Sequence, residues 1–557
     1  MAQPKSYSLS ILNRPPTHLS FATAGALTDD NIKEIACFLR SNSPLVTILS
    51  LSHTNDLGPR AQLILNALTQ NTHIKELNMR NCDLGAPELD LIGLYLKKHT
   101  ILKLDISCNY SELTQNYYWY VSHLTKSERR AKHYPLADPL ASFLAGLASC
   151  QSLTELVITN TDHFPGGLLK ALEANKSLTA LTYAHNPSTF SMVDRSNIKH
   201  LGSPSRLLGC NANDMAVWMR STATVTSLAL SITQYDWVNK VCPLLEAIGT
   251  NKYLQRLTAK CLYGDDRYVD EALAIMLKTN TALTSLNLVG CHVSDTRALV
   301  MADALLSNAS LTELTVDQST LRTKGLASLL SSNLTRLAVG PGCSRKVDCP
   351  FSPTLRSLVL SRQRLRSIII PPGCNLRELN VSDTPVCELV IPPGSYLSTI
   401  NAARTLIDTF TIPPDSRLVS LRLTAPTLTS FTIVGPCRLE TLEISGHLDV
   451  LPLDLMPLLT RLKVTNMPQL DIESLINGLH ESVTDLEIDN ANLNDESVVA
   501  LADFIVSPVC KLTHLVIGRH TVTATGIAIL QAVLNQNTSL VKSNINLEPY
   551  VAIENLQ

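Results

Sequence analysis

Leu283-Thr284-Ser285-Leu286-Asn287-Leu288-Val289-Gly290-Cys291 decides the fold. Leu286 and Leu288 alternate as on a strand with one buried face, and Leu283 enters the same core three residues earlier. The same phrase, apolar, two residues, Leu, one residue, apolar, begins again at Val46, Ile74, Ile101, Leu153, Leu178, Val225, Leu254, Leu311 and Leu334. It continues from Leu355, Leu376, Leu397, Leu418, Leu439, Leu459, Val483 and Leu512, and a weaker first copy holds Leu19 and Phe21, nineteen in all. Strands that recur this often with one buried face must stack side by side in parallel, each covering its neighbour.

The pattern resembles the leucine-rich repeat over essentially the whole chain. That resemblance implies an α/β solenoid, a horseshoe-like arc of about twenty strands with a parallel concave sheet. Asn109 and Asn186 stand where the family's asparagine ladder would be, and Cys82 and Cys291 where it permits cysteine. Thr54, Thr161, Thr233 and Thr384 replace them elsewhere, so the ladder is only partly built.

Spacing divides the repeats into classes. Copies at 46, 74 and 101, and at 225, 254, 283 and 311, are 27 to 29 residues apart, enough for a helix on the convex side of each arm. Asp270 to Lys278, Thr296 to Leu306, Asp495 to Ile505 and Thr525 to Asn535 carry apolar residues at helical spacing. Asn175, Asn280, Asn308 and Asn537 follow such helices and read as left-handed C-caps. From Leu334 to Leu439 the period contracts to 21, and the convex segment becomes Ile370-Pro371-Pro372-Gly373, Ile391-Pro392-Pro393-Gly394 and Ile412-Pro413-Pro414-Asp415. Paired prolines exclude a helix, so extended polyproline-like backbone is expected in the middle.

The intervals Ile101 to Leu153, 52 residues, and Leu178 to Val225, 47 residues, are too long for one repeat. The expected organisation is therefore an N-terminal cap and first repeat over 1–44, then long repeats over 45–333 with insertions near 110–136 and 187–210. Short repeats follow over 334–458, long repeats over 459–539, and a C-terminal cap or tail over 540–557. The long form is similar to the ribonuclease-inhibitor class, and the 21-residue form to the short repeats of type III effectors of enteric bacteria. Those effectors carry Leu-Pro-x-Leu-Pro where this chain has Ile-Pro-Pro, so the likeness is of length and of an extended outer segment. The mixture points to a leucine-rich-repeat effector of an intracellular bacterium such as Legionella.

Composition bounds the function. With 45% hydrophobic and 17% charged residues among 557, the chain buries a large core. A net charge of −2 gives no general attraction to nucleic acid or to an anionic membrane. No apolar run reaches membrane-spanning length, and the start lacks a cleavable signal. Fourteen cysteines without a CxxC pair read as reduced thiols of a cytoplasmic protein, and the nearest pair, Cys343 and Cys349, lacks the further ligands zinc needs. HExxH, GxSxG and GxxxxGK[ST] are absent. No cofactor, metal or catalytic residue is therefore expected. His53, His185, His447 and His520 fall singly near strand ends, more in keeping with polar rim residues than with catalysts.

The reading that follows is a non-catalytic scaffold, monomeric on its own, that binds a protein with an acidic surface; as an effector it would reach the host cell without a cleaved signal peptide. One alternative is a GTPase activator presenting Arg80 as a finger. Another is the sensor portion of an immune-type receptor, although the repeats begin by Thr17 and leave no room for a nucleotide-binding module. The short-repeat effectors often end in a ubiquitin-ligase domain, for which the 18 residues after Ser539 leave no room.

Two residue sets are candidates for the contact. The first insertion carries Tyr110, Tyr117, Tyr118, Trp119, Tyr120 and Tyr134 with Arg129 and Arg130, and loops of nearby repeats add Tyr235, Trp237, Tyr263 and Tyr268. Tyr, Trp and Arg dominate binding energy when a partner seals them from water, although the same rings could form the core of a local cap. The second set is Arg362, Arg364 and Arg366, within a stretch from Arg336 to Arg377 that holds eight basic residues against Asp348 alone. From Met467 to Cys510 there are nine acids and no Lys or Arg, so a charge-polarised surface is expected. Arg461 and Lys463 lie at strand positions matching Asp485 and Glu487, where cross-strand ion pairs are the simplest outcome.

Overall fold

The computed structural model describes residues 18–21, 27–54, 57–109, 140–158, 166–183, 198–202, 212–231, 237–260, 267–316, 320–342, 344–435, 437–536 and 542–545. The chain divides into two compact units, 1–262 with 279–283, and 263–278 with 284–557.

In the first unit the strands His18–Ser20, Ile48–Ser50, Glu76–Asn78, Lys103–Asp105, Glu155–Ile158, Ala180–Tyr183, His200–Gly202, Ser227–Ser231 and Arg256–Lys260 each pair in parallel with the next. Register places one leucine of every strand in a single column, Leu19, Leu49, Leu77, Leu104, Leu156, Leu181, Leu201, Leu228 and Leu257. All nine are buried. Burial of each stabilises by roughly 1.5–3 kcal/mol, and a slip of one residue would turn the whole column to solvent. This is the interior that the repeated phrase predicts.

The second unit builds the same column from Leu286, Leu314, Leu337, Leu358, Leu379, Ile400, Leu421, Leu442, Leu462, Leu486 and Leu515. Where repeats are long a helix lies behind the strands. Asp295–Ser307 shows how: Ser294 caps its N-terminus by accepting from the Arg297 amide, Asp295 favours the positive end of the helix dipole, and Ala298, Met301, Ala302 and Leu305 turn to the core. The helices Arg267–Thr279, Asp495–Val506 and Ala524–Gln536 occupy the other expected segments.

Three expectations need correction. The interval from Leu178 to Val225 is not an insertion around 187–210 but a further repeat, because His200–Gly202 pairs with both flanking strands and Ile198 and Leu201 are buried. Nor is 540–557 only a cap, since Lys542–Ile545 adds another parallel strand beside His514–Ile517. The outer segment of the short repeats is extended, as expected, and part of it is also paired: Lys346–Val347, Ser367–Ile369 and Glu388–Val390 form a small parallel sheet, as do Thr409–Ile412 and Ser430–Ile433. Ile368, Leu389, Phe410 and Phe431 point inward from these strands, while proline pairs follow Ser367–Ile369, Glu388–Val390 and Thr409–Ile412 and lead into turns with left-handed Gly373, Gly394 and Asp415.

The asparagines after the helices are not left-handed caps. Asn308 has φ −87° and ψ 121°, and its buried amide reaches across to the preceding repeat. Its Nδ2 donates to Leu277 O at 2.5 Å, and its Oδ1 accepts from Ser310 N at 2.9 Å and Leu311 N at 2.7 Å. Asn71, Asn175, Asn251 and Asn280 do the same within the first unit. They form a ladder at the start of the strands that satisfies helix-end carbonyls without a special backbone conformation. Asn537 lies outside the described residues.

Candidate binding surfaces

Residues between the core positions of each strand form a polar face, and on it charges meet in register. Lys463 lies 2.7 Å from Glu487, Arg461 3.6 Å from Asp485, Arg422 3.0 Å from Glu443, and in the first unit Lys103 2.8 Å from Glu155. Arg519 donates to Asp489 at 2.9 Å, and this contact holds the Asp489 carboxyl below the usual carboxylate range. Lys511 approaches Glu481 at 3.3 Å. Four of the nine acids between Met467 and Cys510 thus have basic partners from outside that stretch, and charge separation along the sequence becomes local pairing in space. Such half-exposed pairs contribute at most about 1 kcal/mol each, and they leave the strand face near electrical balance.

Arg362, Arg364 and Arg366 behave differently. They are exposed and alternate with Gln363 and Leu365, which are buried. Gln363 donates through Nε2 to the Val339 carbonyl at 3.2 Å and also to that of Gly340, clamping the segment onto the preceding repeat. Arg366 N donates to Arg345 O and Cys387 N to Arg366 O, so the backbone is held from both sides. The clamped segment leaves Arg362, which has a left-handed backbone at φ 59°, Arg364 and Arg366 exposed to solvent.

An open groove of about 690 Å³ lies farther along the second unit, at the C-terminal ends of the strands Thr399–Ala403, Ser420–Thr424, Thr441–Ser445, Arg461–Thr465 and Asp485–Asp489. Arg404, Thr405, Leu406, Thr424, Pro426, Ser445, Gly446, His447, Thr465, Asn466, Pro468 and Asn490 line it. Arg404 is held by Asp383, whose carboxyl its guanidinium keeps below the usual range, and the Arg404 amide donates to Thr424 Oγ1 at 2.9 Å. Sequence reasoning missed this groove. Its signal is the residue just after each strand, Arg404, Ala425, Gly446, Asn466 and Asn490, which becomes small in mid-run and is visible only when the repeats are aligned at that place.

The aromatic set falls largely outside the described residues: Tyr110, Tyr117, Tyr118, Trp119, Tyr120, Arg129, Arg130, Tyr134, Tyr235 and Tyr263. Trp237 opens the helix Trp237–Thr250, and Tyr268 is exposed on the helix Arg267–Thr279. Arg80 is exposed just beyond the strand Glu76–Asn78, its amide donating to Asn78 Oδ1. His53, His447 and His520 belong to separate repeats, and the buried His520 accepts from Val522 N; His185 and Cys343 lie outside the described residues. Burial pushes the Cys349 and Cys82 thiols up to about 11, which disfavours their thiolates. Asn109 fills the family's ladder position, accepting from Cys82 N and Leu84 N and donating to Met79 O, whereas Thr384 reaches a carbonyl of its own repeat and Thr54 one such carbonyl and the Cys82 thiol. Among the described residues no helix is long and apolar enough to cross a membrane.

A family model described as leucine-rich repeat matches residues 70–87 and 279–296. No curated protein matches the sequence. Solved structures with a similar chain path include TLR13 in a complex with ssRNA13, at 15% identity over 95% of this chain and 70% of that one, with a TM-score of 0.39. Another is an internalin (inlF) from Listeria monocytogenes str. 4b F2365, at 14% identity over 76% of this chain and 94% of that one, with a TM-score of 0.32. The recurring phrase, the in-register leucine column of each unit and the matched repeats together give this chain a leucine-rich-repeat fold.

Proposed function

We propose that this chain is a non-catalytic scaffold that binds a protein partner, with Arg362, Arg364 and Arg366 as one contact set. The observation that carries the reading is the clamped segment from Arg362 to Arg366, which holds three exposed arginines within five residues while Gln363 and Leu365 stay buried. Forked guanidinium donors on a stiff base suit carboxylates of an acidic protein surface. The experiment is reversal of all three to Glu in the full chain, followed by capture of partners at moderate salt. Loss of a specific partner at unchanged melting temperature supports the reading, and capture identical to wild type refutes it.

The aromatic residues Tyr117, Tyr118 and Tyr120 make the second proposed contact, supported by their local excess in a chain with 5% aromatic residues. Replacing these three by Ser separates the possibilities: lost binding at unchanged stability identifies an interface, and a lower melting temperature with binding intact identifies a local core. The finer role, a cytoplasmic effector delivered to a host cell, is supported by the alternation of long repeats with 21-residue repeats. A translocation reporter fused to the chain tests it, and a reporter retained in the bacterium refutes it.

A further inference from the structure

We infer that the groove along the C-terminal strand ends of the second unit docks an extended acidic peptide segment of a partner protein. This goes beyond the arginine set, of which only Arg362 lies near one end of the groove, and rests on the reading of the chain as a protein-binding scaffold.

The groove is built by the sequence of side chains that follow successive strands. Arg404 stands at one end, and Gly446 lies in the lining farther along, while Ala425 between them is buried. Gly446 cannot be enlarged, because a Cβ there would lie 2.7 Å from both the Cβ and the carbonyl oxygen of Leu428. The hollow is therefore fixed by packing rather than by a movable side chain. Arg404 to Asn490 spans four strand steps, about 19 Å at roughly 4.8 Å per step, which accommodates about six residues of extended chain at 3.3 Å each.

Its chemistry selects the occupant. Leu406, Pro426 and Pro468 supply apolar contact, and Thr424, Ser445, Thr465 and Asn490 place a hydroxyl or amide at successive repeats along the run. Such a row suits the free N–H and C=O groups of an extended peptide, whereas a helix has already satisfied its own. The lining includes Arg404 and His447 and no carboxylate. The nearby acids are engaged, Asp383 by Arg404 at the groove itself and Asp489 by Arg519. Arg422 is paired with Glu443, and Arg362 also acts on Asp383, so this end of the groove keeps one positive charge in excess. An acidic segment is the complement of that lining.

The test uses the full chain and a displayed library of random twelve-residue peptides. Enriched sequences are synthesised with a fluorophore and measured by anisotropy against wild type, Leu406→Glu and Leu406→Lys. Leu406 is exposed, so both variants keep the fold, which circular dichroism checks. The expected result is enrichment of Asp and Glu, binding weakened about fivefold or more by Leu406→Glu, as a like charge at close range across partly screened solvent requires, and not weakened by Leu406→Lys. Enrichment of basic or uncharged peptides overturns the proposal, as do acidic peptides that bind Leu406→Glu as tightly as wild type. Arg364→Glu combined with Arg366→Glu tests the arginine set by itself and leaves groove binding unchanged. If that pair abolishes peptide binding instead, the peptide sits on the arginine set and the groove is overturned.

Discussion

Replacing Asn308 by Ala removes a side chain that serves two repeats. The Leu277 carbonyl loses its donor, and the Ser310 and Leu311 amides lose their shared acceptor, at a site only 4% exposed. A buried polar group left without a partner costs about 1–3 kcal/mol. Water entering the vacated space relieves part of this, so about 3 kcal/mol is expected for the three groups, roughly a hundredfold shift in the unfolding equilibrium. The assay is urea unfolding of the full chain followed by circular dichroism, with amide exchange at Ser310 and Leu311 as a local probe. Asn308→Gly supplies the decisive comparison. If the asparagine were a left-handed cap, Gly would do as well or better. If it is a bridge, Gly must lose as much as Ala, with an added entropic cost. Asn308→Asp keeps the acceptor and loses the donor, so it falls between. A Gly variant as stable as wild type, or an Ala variant within about 0.5 kcal/mol of it, would refute the bridging argument.

The helices Ala86–Lys98 and Ala141–Ser149 touch at Gly93 and Gly146, where a Cβ on Gly146 would lie 2.7 Å from the Gly93 Cα. Gly93→Ala should therefore lower stability by about 1–3 kcal/mol despite its better helix propensity, and a higher melting temperature would show the approach to be looser than described. The Asp489 carboxyl, held low by the Arg519 hydrogen bond, predicts a pH effect. Its folded pKa lies below the unfolded value of about 3.9, so its contribution is complete above that value and disappears as pH falls through the folded pKa. Asp489→Asn should flatten the acid limb of the urea midpoint between about pH 5 and pH 2 relative to wild type, and an identical limb in both proteins would count against the contact.

How much of this was legible follows from where the information lies. Leu283, Leu286 and Leu288 announce their strand because all three core positions are apolar and must be. The strand His200–Gly202 is hidden because only Ile198 and Leu201 keep the phrase, with Ser203 at the third place, and the strand Lys542–Ile545 because Ser543 replaces the central leucine. Ser367-Ile368-Ile369 is apolar before its prolines, yet its partners are 21 residues away in both directions, so pairing shows only when repeats are superposed. Asn308 illustrates another limit: the residue that tolerates a left-handed backbone also carries a donor and an acceptor, and only the neighbouring repeat shows which property is used. Among the candidate contacts, Lys463 and Glu487 were readable as a pair from register alone. The groove was not, since it consists of side chains that are missing rather than present.

The asparagine ladder also sets the grammar by which such a chain can grow. Where the ladder is built, a long repeat provides a helix-end carbonyl for its successor and an amide for its predecessor, as Asn280 and Asn251 do within the first unit, whereas Lys98, Cys150 and Thr222 stand at that place before other strands. Duplicating or deleting one whole repeat within a run that keeps the asparagine, such as Asn251, Asn280 and Asn308, therefore leaves every donor facing an acceptor of the same kind. A short repeat offers a proline turn at that place, with Gly373 or Gly394 where the amide would be. Exchange between the two classes would strand an amide against a turn, so each class should expand and contract within its own block, and the junctions near Leu334 and Leu459 should stay put.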